Sequence, residues 1–342
     1  MRYINLDAVE PGQLLGKTIY SANGTVLLAA GVQLTVFMIS TLRRIGVTML
    51  YMKDPNFNDV VIIDMVSEET KRAVMKQIGE TFETIRSGKE LNTKNISINM
   101  DSLIDDVMRN KEVLLHLTDI RTVDNMMYVH ALNVATMATL IGINLNIPYN
   151  QLKELAIGAL LHDVGKVGGE NEENLKDLKK HHTWRGFEIL KLKREFSLMI
   201  AHVAFQHHES LDGKGIPRGL EADQIHLYAK ITAIANLYDN LLFDSSKETP
   251  MLPHEACELM MSMAGQQIDK DLLVQFLNTV SIYPTGISVK LSNHEVGLVV
   301  GQHRGLPGRP IVRIVKEDPG HELIVKEIDL AKHTTLFIDM VL

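Results

Sequence analysis

The stretch His207–Gly219 reads HHESLDGKGIPRG. Two adjacent imidazoles and a carboxylate lead into a glycine-rich loop. That combination suits a metal site beside an anion cradle, or a helix end followed by a turn. A second candidate is Leu160-Leu-His-Asp-Val-Gly-Lys166. Asp163 follows the apolar stripe Leu152, Leu155, Ala156 and Leu160, so it is expected to be buried. A buried carboxylate needs a cation or strong donors, and Lys166 brings an ammonium to the same place. His130 shares a helical face with Met127, Val134 and Met137; taken alone it reads as a hydrogen-bonded core histidine. His181-His182 stands at a helix start, where one of the two suits a polar first turn. In AKITAIANLYDNLL, Asn236 and Asp239 lie three apart, neighbours on one helix surface. Together His130, His162, Asp163, His182, His207, His208 and Asn236 would suit two metals sharing one carboxylate. Imidazole and oxygen ligands favour iron, manganese, zinc or similar ions. With Cys257 the only cysteine, a thiolate zinc site is excluded. His202 and His226 read as ordinary helix or surface residues, and His294, His303, His321 and His333 show no ligand spacing.

The elements that must position these groups follow from periodicity and turn chemistry. Residues 1–60 read as a small mixed unit. Its strands are Gly16–Tyr20 and Thr25–Ala29 about an Asn23-Gly24 turn, then a helix capped by Thr35 and stopped by Gly46, then a strand Val47–Met52. Residues 61–283 read as helical. Ser67-Glu68-Glu69 starts a leading helix, and a polar interruption over Arg86–Asn99 precedes a helix from Met100 to Leu117. Asp124–Leu145 is a helix with one apolar face, and Asn150 caps the next. Gly165, Gly168 and Gly169 end it before the polar stretch Glu170–Lys180. Residues 284–342 read as a small β unit with strands Gly286–Leu291, Glu295–Gly301, Ile311–Val315 and Leu323–Ile328. Turns at Ser292–His294, Arg304–Pro310 and Asp318-Pro-Gly320 join them. The expected fold is mainly α, a helical core flanked by a small α/β N-terminal unit and a small β C-terminal unit.

Bulk properties narrow the function classes. The chain has 342 residues, room for two or three domains. Its net charge is −7 and its aromatic content 5%, which argues against a nucleic-acid polymer or an anionic membrane surface as partner. The first residues lack a basic and an apolar signal region, and no apolar run reaches the ~20 residues that span a bilayer. A cytoplasmic protein without membrane insertion is expected.

The order of the motifs resembles a known family. It runs as a histidine, then His-Asp-x-Gly-Lys, then a histidine four before a glycine. His-His-Glu-x-x-Asp-Gly-x-Gly-x-Pro and Ala-Asn-Leu-Tyr-Asp complete it. This is similar to the HD-GYP domain, a branch of the HD metal-dependent phosphohydrolases, over roughly residues 100–280. The flanking β units look like those of Gram-positive HD-GYP proteins. The resemblance implies an all-α HD-GYP core and hydrolysis of cyclic di-GMP or a related cyclic dinucleotide by a hydroxide activated by two divalent metals. Iron or manganese come first among these metals, with zinc, nickel and magnesium as alternatives. His130, His162, Asp163 and the Asn236 position would hold one metal, and Asp163, His182, His207 and His208 the other. Lys166 would sit at the scissile phosphate, making Asp163 and Lys166 the catalytic pair. Lys166 and the loop Asp212, Gly213, Lys214, Gly215, Ile216, Pro217 and Arg218 would bind substrate. A homodimer and signalling-protein partners are compatible with it.

Four positions depart from the family pattern. Ile216 replaces the tyrosine of the GYP motif, and Asn236 replaces a metal-binding aspartate while Asp239 keeps the second acid. Ser245-Ser-Lys-Glu248 stands where an Arg-Pro-Tyr-Arg/Lys segment is usual. Met126 stands where members with three metals carry glutamate, so a third metal is not expected. These changes touch the nucleotide clamp more than the metal ligands. The alternative they imply is a catalytically impaired module serving as nucleotide sensor or interaction scaffold.

Overall fold

The structure is a computed structural model and describes residues 1–117, 119–169, 177–243, 251–317 and 323–342. Expectations for 170–176, for Ser245–Glu248, for Asp318-Pro-Gly320 and for His321 lie outside the described residues.

The N-terminal 60 residues contain β1 (Arg2–Asn5), β2 (Ile19–Tyr20), β3 (Val26–Leu28), α1 (Val36–Arg44) and β4 (Met49–Met52). Thr35 caps α1 by accepting from Met38 N at 3.2 Å, and Gly46 ends it at a φ of 86°. β2 and β3 form the expected hairpin. β4 pairs antiparallel with β1, a strand the turn signals did not mark because it opens the chain.

The middle of the chain is helical: α2 (Glu68–Arg86), α3 (Thr93–Arg109), α4 (Met126–Asn144), α5 (Tyr149–Leu160), α6 (His182–Lys191), α7 (Leu198–Gln206), α8 (Leu227–Leu242), α9 (Pro253–Met263) and α10 (Lys270–Leu277). Ser67 caps α2 and also donates to Asp106 Oδ2 on α3 at 2.7 Å. α3 starts seven residues before the expected Met100, because Asn92 accepts from Asn95 N at 3.1 Å and Ile96 begins its buried stripe. α5 starts at Tyr149, directly after Pro148, rather than after an Asn150 cap.

α4 is the central element. It is buried on nearly every side from Val129 to Gly142 and packs against α2, α3, α5, α8 and α10. By length and composition it could cross a membrane, although its polar residues leave no unbroken apolar run; 78% of its apolar window is buried inside the protein. A helix enclosed by other helices must be apolar all round. Met127, expected on the buried face, is instead 38% exposed.

The last segment is a five-stranded antiparallel sheet of order β8-β7-β6-β5-β9. Its strands are β5 (Ser288–Leu291), β6 (Val296–Gly301), β7 (Ile311–Glu317), β8 (Leu323–Asp329) and β9 (Ile338–Val341). The four expected strands are present. The short edge strand β9 was not foreseen; it pairs with β5 through a register shift.

Candidate metal centre

α5 delivers His162 and Asp163 just past its last turn, where the chain tightens into a 3₁₀ turn at Val164–Lys166. Gly165 makes that turn possible against α6, since a Cβ there would lie 2.0 Å from His182 O. Thus the glycine of His-Asp-x-Gly-Lys seats the start of α6, and with it His182. His181 caps α6, accepting from Thr183 N at 3.3 Å, so of the adjacent pair one caps and the other turns inward. His207 closes α7, and α4 supplies His130 one turn from its start.

Three of these rings have their outer nitrogens committed. His162 Nδ1 donates to Ala159 O at 2.8 Å and His207 Nδ1 to Ala204 O at 3.0 Å. His130 Nδ1 meets Asp239 Oδ2 at 2.6 Å. Carbonyl and carboxylate oxygens only accept, so each Nδ1 carries the proton and the Nε2 is left to face inward. His130 Nε2 and His162 Nε2 are then 3.2 Å apart, and His182 Nε2 and His207 Nε2 3.3 Å.

Asp163 lies between the two pairs. Its Oδ2 is 3.5 Å from His130 Nε2, 3.4 Å from His162 Nε2 and 2.5 Å from Lys166 Nζ. Its Oδ1 is 3.3 Å from His182 Nε2 and 3.6 Å from His207 Nε2, buried and without a hydrogen-bond partner. The ligand atoms of Asp163, His182, His207 and His208 lie within 4.8 Å of one another, as do those of His130, His162 and Asp163. An orphaned carboxylate oxygen opposite imidazole nitrogens is the environment a divalent cation satisfies, and the donor set is nitrogen and oxygen throughout.

Electrostatics agree. Burial works against the charge on Asp163, but His162, Lys166 and His130 hold its pKa well below the usual carboxylate value. Burial also opposes a proton on His130, yet Asp163 and Asp239 raise its pKa to about 9. A cation at its Nε2, proton or metal, is what that setting favours. Burial pushes His207 down to about 3, which keeps it a neutral ligand.

α8 contributes less obviously. Asn236 is buried, its Oδ1 accepting from Asn240 Nδ2 at 2.9 Å. The carboxylate that reaches the histidines is Asp239, which also accepts from Asn133 Nδ2 at 3.0 Å and from the Arg121 guanidinium. Arg121 stacks on Phe243, 3.7 Å from the ring centre. Arg121 and Asn133 were not legible as site residues, because nothing in local spacing links them to a helix more than a hundred residues on.

A cleft of about 750 Å³ opens onto His130, Asp163 and Lys166, with Arg86, Arg121, Tyr128 and Phe243 on its wall. None of Asp212, Gly213, Lys214, Gly215, Ile216, Pro217 and Arg218 lies on that wall. Their loop folds back on itself. Glu209 accepts from Arg218 N at 2.8 Å and Leu220 N at 2.9 Å, and Ile216 N donates to His208 O at 3.0 Å. Gly215 packs so closely that a Cβ would lie 2.2 Å from Ser210 N. The loop thereby braces His208. His202 and His226 stay apart from the cluster, the latter capping α8.

Comparisons with known proteins match two parts of the chain. Residues 107–272 match the family described as HD domain, and residues 288–342 the KOW domain associated with HD domain. A cyclic di-GMP phosphodiesterase of Pseudomonas aeruginosa is 29% identical over 65% of this chain and 56% of its own length. One from Thermotoga maritima is 31% identical over 36% of each chain. A 3'3'-cGAMP-specific phosphodiesterase of Vibrio cholerae is 32% identical over 33% of this chain and 24% of its own length. The chain thus spans little more than half the length of the first of these relatives and less of the others. Among solved structures, an HD-GYP protein of Bdellovibrio bacteriovorus aligns with a TM-score of 0.48 at 16% identity, covering 80% of this chain and 97% of that one. Over residues 107–272 the chain thus matches the HD domain family, and the order of its motifs resembles that of the HD-GYP branch.

Proposed function

We propose that the protein is a metal-dependent phosphodiesterase that opens a cyclic dinucleotide of the cyclic di-GMP class. The observation that carries this reading is Asp163, one buried carboxylate whose two oxygens each face a separate pair of imidazoles. That set would suit two ions sharing one carboxylate, and the names of the relatives supply the substrate class.

His130, His162 and Asp163 would hold one ion, with Asn236 a neutral oxygen donor in place of a carboxylate. Asp163, His182, His207 and His208 would hold the other. Two divalent ions, iron or manganese first by ligand type, would supply Lewis acidity and a nucleophilic water at neutral pH. The chain's residues do the rest. Lys166, 41% exposed and on the cleft wall, donates to a phosphoryl oxygen and offsets the charge that builds there during displacement. Tyr128 and Phe243 offer ring faces to a base. Asp239 holds His130 in the tautomer that directs Nε2 inward.

A second reading has its own support. Asn236 and Ile216 stand at altered positions, and a module that binds a nucleotide without cleaving it would tolerate both. One experiment separates the two: count metals in the purified protein, then assay cyclic di-GMP, 3'3'-cGAMP and cyclic di-AMP beside an Asp163→Asn control. Two metals with turnover, both lost in Asp163→Asn, support the enzyme. Nucleotide binding without turnover by metal-loaded protein supports the sensor.

A further inference from the structure

Resting on the substrate class above, a cyclic dinucleotide carries two phosphodiester anions on opposite sides of a closed ring. The metal cluster and Lys166 provide for the one that is cleaved; the other needs its own cation. Among the described residues on the cleft wall the cations are Lys166, Arg121 and Arg86. Lys166 is held at Asp163. Arg121 is only 9% exposed, paired with fully buried Asp239 and covered by Phe243. Arg86 differs. It is the last residue of α2, its side chain is 59% exposed, and its partner is Glu83, 68% exposed on the same helix.

An exposed pair of this kind adds little stability and is readily exchanged. A guanidinium forms two parallel N–H bonds to a phosphate, a better match than one exposed carboxylate in water. The helix end is also well placed. Phe82, one turn before Arg86, packs on Tyr128 with ring centres 5.5 Å apart, and Tyr128 is itself on the cleft wall. Asp124, a carboxylate on the same wall, works against an anion and makes a free cation matter more. We propose that Arg86, from a helix outside the matched 107–272 region, is a specificity-determining residue that binds the uncleaved phosphate of a cyclic dinucleotide.

The test uses the full chain with Arg86→Ala and Arg86→Lys. Two substrates are compared: cyclic di-GMP and bis(4-nitrophenyl) phosphate, which has a single phosphodiester. Calorimetry with metal-depleted protein measures cyclic di-GMP binding without turnover. Arg86→Ala should raise KM for cyclic di-GMP and weaken its binding by about 10–100-fold, the worth of a charge-assisted pair. Its kcat should stay within about twofold, and cleavage of bis(4-nitrophenyl) phosphate should not change. Arg86→Lys should fall between, keeping charge but not the fork. Unchanged KM and affinity in Arg86→Ala, or an equal loss on both substrates, overturns the assignment. A wild-type protein that cleaves bis(4-nitrophenyl) phosphate yet neither binds nor opens a cyclic dinucleotide overturns the substrate class and this assignment with it. That result is visible before any variant is made.

Discussion

Asp163 and Asp239 divide two tasks that both need a carboxylate. Asp163 faces four imidazole nitrogens with its two oxygens, whereas Asp239 meets a single imidazole, at the outer nitrogen of His130. Burial opposes the charge on Asp239, but Arg121 and His130 outweigh it and hold its pKa at about 2. It is therefore an anion at neutral pH, fit to orient an imidazole but already engaged by three side chains. Replacing it with asparagine keeps the shape and removes the charge. Asp239→Asn should lower metal affinity at the His130–His162 pair by about 10–100-fold and leave the His182–His207–His208 group loaded. Competition against a chelator, read as metals per chain, checks this; an unchanged affinity would show that Asp239 is only packing.

Between the elements, the close seating of the Val164–Lys166 turn on α6 sets where His182 points. Gly165→Ala must displace His182 O and Gly186 N, which its Cβ would approach to 2.0 and 2.6 Å. Backbone cannot give way as a flexible side chain can, so the cost is expected at about 3 kcal/mol or more. A lowered urea midpoint together with selective loss of the second metal is the expected result. The connection between α3 and α4 carries a different sensitivity. His116 Nδ1 is sealed from solvent without a partner. Burial, then Lys17, lower its pKa to about 4, only partly countered by Asp64. The unfolded chain takes up that proton near the ordinary value of 6.5. Its contribution is thus fully present above that pH and lost as pH falls toward 4, up to about 3 kcal/mol. His116→Gln should flatten the pH dependence of unfolding free energy across that window. An equally steep curve in the variant would assign the slope to other groups.

Across the molecule, the two ends of the chain meet. Tyr3 N donates to Gly286 O at 2.7 Å, the terminal amine to Phe57 O at 2.9 Å, and Arg313 grips Asp59 through two bonds of 2.7 and 2.6 Å. Beneath them Leu298 of β6 packs with Phe57 and Val60 in a small apolar cluster of their own. Among the described residues, the clustered candidate metal ligands lie in the helical region instead. Leu298→Ala should therefore cost about 2–4 kcal/mol and speed amide exchange around residues 55–60, while metal content stays unchanged. Loss of metal in this variant would mean that the terminal segments support the cluster.

Helix and strand identity was largely legible from residue order, because caps such as Thr35 and Ser67 and the alternation of Gly286–Leu291 act within a few residues. So were the histidines and Asp163, whose motifs are short. The start of α3 was misread because its polar residues face solvent while Ile96 already packs inward, which only the assembled helices reveal. What tertiary structure alone decided is the company those residues keep: Asp163 between two imidazole pairs, Arg121 reaching Asp239 across 118 positions, and Arg86 on the cleft wall. It also gave Asp212–Arg218, expected as a cradle, a second task as a brace for His208 through Ile216 N, with Glu209 tying Arg218 N and Leu220 N into the same loop. Local chemistry sets what each segment can form. Which side chains converge depends on the packing of apolar faces from distant segments, and neither spacing nor residue type encodes that separately.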